Sequence, residues 1–152
     1  MAITNTYRVE AGNSGLAYEF ISEGPNGNIK KRVEFTPYFE GSTIYNLRFG
    51  DWCDNGDIDD EVVTNNLDTE KVLATVGMCV MLFFKIYPNY SIVFMGGRQR
   101  THTRNRLCRM ALSKFLEQLE QELEIRGNQN DEWETFVKGN DYDAFIIKRK
   151  NH

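Results

Sequence analysis

Apolar residues recur with a period of two through most of the first 50 positions, then at helical spacing or in unbroken runs, then with a period of two again. In LAYEFIS (16–22), Leu16, Tyr18, Phe20 and Ser22 share one face of a strand. Gly24-Pro25 and Asn26-Gly27 follow, with a fixed φ from proline and a glycine that accepts a positive one, as a tight reversal requires. IKKRVEFTPY (29–38) and STIYNLRFGD (42–51), divided by Glu40-Gly41, continue the alternation. The pattern predicts an antiparallel meander.

The period changes after residue 68. Asp68 or Thr69 is the expected N-cap of a first helix, with Glu70 near the positive end of its dipole and Tyr87-Pro88 closing it. Its body holds the run Val72 to Phe84, 13 residues without a charge. A bilayer needs about 20, so the run reads as a helix buried against a sheet and no membrane segment is expected. SIVFMGG (91–97) has the unbroken apolar character of a central strand. Leu112, Phe115, Leu116, Leu119 and Leu123 then lie on one helical face, placing a second helix from about Thr103 to Glu122. LEIRG, EWETFVKG and YDAFIIKRK return to strands. The expected order is ββββ-α-β-α-ββ(β), a single α+β domain over 1–152, with a mostly antiparallel sheet and two helices on one face.

Composition adds little until charge is divided along the chain. With 41% hydrophobic and 26% charged residues the sequence is that of a globular protein. The start, MAITNTYRVEAG, lacks the basic and apolar regions of a secretory signal. Cys53, Cys79 and Cys108 are widely spaced and match no metal pattern, so a reducing cytoplasmic compartment is expected. Residues 1–70 carry a net charge of −8, 71–116 carry +8 without one acid, and 117–152 carry −4. An acid-free block of 46 residues in a chain of net charge −4 points to one local anionic site rather than a general nucleic-acid coat.

That block peaks in GGRQRTHTRNRLCRM (96–110), with Arg98, Arg100, Arg104, Arg106 and Arg109. Strand, Gly96-Gly97, basic segment and helix is the order used where a turn and a helix N-terminus bind an anion. A first turn without a ligand favours Asp or Glu, and each cation there costs about 0.3–1 kcal/mol. Here Arg104 and Arg106 stand in it, with Thr101 or Thr103 as cap. A bound phosphate reverses the sign of each of these interactions, and the planar guanidinium offers it paired hydrogen bonds. The anion-binding set is therefore Gly96, Gly97, Arg98, Arg100, Thr103, Arg104, Arg106 and Arg109. The bland alternative pairs these arginines with the acidic loop at 51–61 or with Glu117, Glu120 and Glu122. Gly-Lys-Ser/Thr is absent, so this is not a P-loop.

Other chemistry is sparse. DWCDNGDIDDE (51–61) fits no EF-hand register, and a Mg²⁺ site from Asp57, Asp59 and Asp60 ranks below an acidic turn that neutralises the arginines. His102 lies inside the cationic cluster and His152 at the terminus, leaving no Ser/His or Cys/His pair. Cys79 and Cys108 read as helix-core fillers, and Trp52, Trp133, Tyr87 and Tyr90 as core or rim packing rather than a base-stacking platform. No cofactor and no metal is expected, and binding is favoured over catalysis. Any bond-breaking activity would be of the nuclease or phosphoryl-transfer type.

EFISEGPNGNIKKRVEF (19–35), DIDDEVVTNNLDTEKVLATV (57–76), THTRNRLCRMALSKFL (101–116) and EWETFVKGNDYDAFIIKRK (132–150) resemble the recurring blocks of a bacterial family of small single-domain proteins, a domain of unknown function. Its pattern sets Gly-Ser-Thr ahead of a Thr-Arg-x-Arg-Leu-Tyr-Arg run. Thr103, Arg104, Arg106, Leu107 and Arg109 match that run, whereas Gly97-Arg98-Gln99 and Cys108 depart from it. The resemblance implies no activity.

Two functional readings stand at this point. In the first the protein binds a phosphate-bearing ligand, RNA or nucleotide, through the arginine-rich helix N-terminus. In the second it is an interaction component of a toxin–antitoxin or defence-type operon, and the basic patch receives an acidic protein partner.

Overall fold

A computed structural model describes residues 5–52, 58–59, 68–95, 122–137, 142 and 144–150. The meander is present as β2 (Ala17–Gly24), β3 (Gly27–Pro37) and β4 (Ile44–Trp52), each antiparallel to the next. Gly27 takes φ 89° at the β2–β3 reversal, which a side chain there would strain. Helix α1 (Thr69–Ile86) ends where expected, at Tyr87, whose N–H returns to the Phe83 carbonyl at 2.8 Å. The proline that follows cannot continue the ladder. β6 (Ser91–Met95), β7 (Leu123–Gln129), β8 (Glu132–Thr135) and β9 (Ala144–Arg149) fall in the windows predicted as strands. β1 (Glu10–Ala11) and β5 (Ile58–Asp59) extend the expected order; two residues are too few for a period to register.

The nine strands among the described residues form one sheet in the order β1-β2-β3-β4-β6-β9-β7-β8, with β5 on the far stretch of β4. β4 and β6 are parallel, joined through α1, and the other pairs among the described residues are antiparallel. The α+β class and the mostly antiparallel sheet hold. Among the described residues α1 is the one α-helix; the second expected helix, about 103 to 122, lies outside them. None of the described helices is long and apolar enough to cross a membrane.

Alternation places Tyr18, Phe20, Val33, Phe35, Leu47, Ile92, Phe145, Ile147 and Ile125 on one face, and α1 packs there. Phe83 is fully buried and stacks on Phe35 at 4.6 Å between ring centroids. Cys79 is also fully buried, the core filler expected of it, and burial pushes its thiol up to about 12. At the far end of the sheet, Tyr142 lies on Gly127 so closely that a Cβ there would stand 2.3 Å from the ring. Its hydroxyl accepts the Val137 N–H and donates to Glu134, both at 3.0 Å, fixing the chain between β8 and β9.

Candidate functional site

Strands β2, β4, β6 and β7 all run in one direction, because each is parallel to the next or separated from it by one antiparallel strand. Their C-terminal ends therefore share one end of the sheet. Helix α1 also begins there, since Asp68 at its start bonds Ser22 near the end of β2. Open sheets with helical crossovers bind ligands at this kind of edge.

Polar side chains gather on the core face at that end. Ser22, Lys31 and Asp51 continue the inward alternation of β2, β3 and β4 past the last apolar positions, and Lys31 stands directly opposite Asp51. The Lys31 ammonium and the Asp51 carboxylate meet at 2.5 Å with only 5% and 15% of their side chains exposed. The close pairing offsets part of the cost of enclosing both charges. Asp51 thus binds within the meander, although the sequence placed it in an acidic loop directed at the arginines.

Asp68 occupies the N-cap position, but its side chain does not cap the helix. Its Oδ2 instead accepts the Tyr7 hydroxyl at 2.6 Å and the fully buried Ser22 hydroxyl at 2.5 Å. The Tyr7 oxygen in turn accepts the Glu23 N–H at 3.0 Å, and the Tyr7 N–H donates to Thr75 Oγ1 at 2.9 Å. The Lys71 ammonium lies 4.2 Å from the centre of the Tyr7 ring. Burial, then the bond to Asp68, hold the Tyr7 phenol above its ordinary value. One carboxylate oxygen saturated by two donors is a clasp between the N-terminal segment, β2 and α1.

The opposite face of the sheet carries ion pairs and one exposed indole. Glu19, Arg32 and Glu34 form an ion-pair ladder, with Arg32 bonded to Glu19 at 2.9 Å and to Glu34 at 2.6 Å. The Arg32 guanidinium also covers Trp52 at 4.5 Å. Beyond β6, Lys148 on β9 and Arg126 on β7 reach Glu124 at 3.2 and 3.3 Å. The Lys148 bond, with a smaller part from Arg126, holds the Glu124 carboxyl below the usual carboxylate range. Trp133 on β8 stands opposite Asn128, so its indole shares this face and is 47% exposed. These residues and Ser91 and Ile146 line a groove of about 400 Å³.

The sequence-predicted anion site, Gly96, Gly97, Arg98, Arg100, Thr103, Arg104, Arg106 and Arg109, lies outside the described residues, as do His102, Cys53, Cys108, Asp57 and Asp60. Of that segment's surroundings the structure describes Met95, the last residue of β6, at the sheet end just defined. Among the described residues no three His, Cys, Asp or Glu side chains are placed to hold a metal. Tyr87 and Tyr90 pack at the other end of the core, as expected of rim aromatics. Sequence reasoning missed the Tyr7–Ser22–Asp68 clasp because Asp68 lies 61 residues from Tyr7 and 46 from Ser22. It also missed the Trp133 groove. The available signal there was the two-residue turn Asn130-Asp131, both at positive φ, which fixes the register that sets Trp133 beside Asn128.

No curated protein and no solved structure matches the chain significantly. A family match spans nearly its whole length and agrees with the resemblance read from the sequence blocks. Over residues 4–150 the chain belongs to the family of unknown function DUF6934.

Proposed function

We propose that the protein binds a phosphate-bearing ligand, RNA or nucleotide, through Arg98, Arg100, Arg104, Arg106 and Arg109, with Gly96, Gly97 and Thr103 supplying backbone and hydroxyl donors. The observation that carries this reading is the acid-free block of net charge +8 over 71–116, set in a chain of net charge −4. Two features of the fold support it. The block enters its arginine-rich part from Met95, at the strand C-termini where crossover sheets accept ligands. β6 and β7 run parallel, and parallel strands of one sheet are usually joined through a helix, the element expected from about Thr103 to Glu122. That helix is the second of the two expected on the core face.

The test is the affinity for a single-stranded RNA of about 20 nucleotides, followed by fluorescence anisotropy across roughly 50 to 200 mM salt. Binding should weaken steeply with salt, with a log–log slope of about 0.7 per phosphate neutralised, and Arg104→Glu with Arg106→Glu should flatten it. Absence of binding to RNA and to nucleotides at the lowest salt overturns the reading. Co-purification of an acidic protein that is lost in the same double variant would assign the patch to a protein partner instead.

A further inference from the structure

We infer that the face of the sheet opposite α1 carries a nucleotide subsite, in which a base stacks on Trp133 while Arg126 and Lys148 hold its phosphate. The inference rests on the proposed affinity for phosphate-bearing ligands but places the contact on different residues, in a different part of the fold.

The chemistry of the groove is specific. Its volume, about 400 Å³, lies in the range of small-ligand sites. Ile146 forms an apolar floor and the Trp133 indole a flat wall. The two tryptophans differ in what covers them: the Trp52 ring is capped by Arg32 at 4.5 Å, whereas the Trp133 ring has no ring or cation stacked on it among the described residues. An uncovered indole beside cations is the pairing by which proteins hold unpaired bases, because every base offers a π-face. Arg126 and Lys148 are each about half exposed, so their donors not engaged by Glu124 reach the groove mouth. Glu124 holds the two cations side by side and offers an acceptor for a base amino group or a ribose hydroxyl. A free mononucleotide and one unit of a single strand share this base-and-phosphate chemistry.

The chain contains two tryptophans, so Trp52→Phe leaves Trp133 as the sole indole reporter. Uridine 5′-monophosphate and a short oligouridylate should each quench its emission saturably, while inorganic phosphate at equal concentration should not. Arg126→Glu and Lys148→Glu, at exposed positions that leave the core intact, should each weaken binding roughly tenfold, and Trp133→Ala should weaken it by a similar factor. Saturation by the oligomer at much lower concentration than by the mononucleotide identifies a strand as the occupant; equal affinities identify a free nucleotide. Quenching that never saturates, or unchanged oligonucleotide affinity in Trp133→Ala, overturns the inference. If RNA binding then still disappears on Arg104→Glu, only the Trp133 subsite falls. If saturable quenching survives Arg104→Glu at unchanged affinity, the subsite stands on its own residues; the arginine reading falls only if RNA affinity and its salt slope are also unchanged in that variant.

Discussion

Helix α1 is held at its two ends by opposite chemistry. Where it finishes, Phe83, Tyr87, Tyr90 and Tyr45 stack at 5.1 to 6.5 Å between ring centroids, and the Tyr87 hydroxyl reaches the Ser14 carbonyl at 2.7 Å. Where it starts, Asp68 draws in Tyr7 and Ser22, and the Lys31–Asp51 pair lies on the same core face. The aromatic end gains from apolar area and tolerates small shifts. The polar end depends on bonds that fail completely when one partner is removed. The end that faces the strand C-termini is thus the one whose geometry is set by directional contacts, and it is also where the arginine-rich segment departs.

The strongest way to break this contrast is at the aromatic end. Phe83→Ala should lower stability by about 3–5 kcal/mol in urea unfolding, because a fully buried ring leaves a cavity that its stacked neighbours cannot close. A loss below roughly 1 kcal/mol would show that the rings repack freely.

At the polar end the informative comparison is between a single and a double replacement. Asp51→Ala leaves the Lys31 ammonium enclosed without this carboxylate and should remove about 3 kcal/mol. Lys31→Met with Asp51→Leu removes both charges and should restore most of that loss. Equal destabilisation by the two variants would mean that the pair contributes specific structure beyond mutual neutralisation.

The smallest effect is in the alkaline pH dependence. Tyr7, Tyr18 and Tyr45 have raised phenols, each chiefly through burial, and Cys79 is pushed up to about 12. A group whose folded value lies above its unfolded one stabilises the fold fully below the unfolded value, and the contribution is lost as pH rises through the folded value. Stability should therefore hold up to about pH 8 and decline from about pH 9, where the unfolded thiol ionises first. Tyr7→Phe should lower stability in urea unfolding by about 1 kcal/mol at neutral pH and make the decline above pH 10 shallower. An unchanged slope would remove Tyr7 from the titrating set.

The longer strands and α1 were legible because each carries a pattern within its own length: alternation in β2 and β3, the unbroken run 72–84 in α1, and Asn-Gly at the first reversal. Asp68 shows the limit of local reading. Its position at the helix start was right, but a cap was the wrong role, because the competing donors come from Tyr7 and Ser22, far away in sequence. Lys31 shows the same limit. Nothing in IKKRVEF distinguishes an inward lysine from an outward one until Asp51 on the next strand is known to lie opposite it. Of the candidate chemistry, the charge block was visible in the sequence alone, whereas the Trp133 groove needed four strands to be placed side by side.

The sequence by itself determined the α+β class, the limits of α1, the buried run and the separation of charge, since each follows from residue spacing or from residue identity. Only the tertiary structure decided that the strands join into one sheet with β4 and β6 parallel, and that Tyr7, Ser22 and Asp68 meet. It likewise decided that Trp133 shares a face with Arg126 and Lys148. The physical reason is range. Propensity and periodicity act over a few residues, while sheet order and cross-strand partners are fixed by which distant apolar faces bury one another.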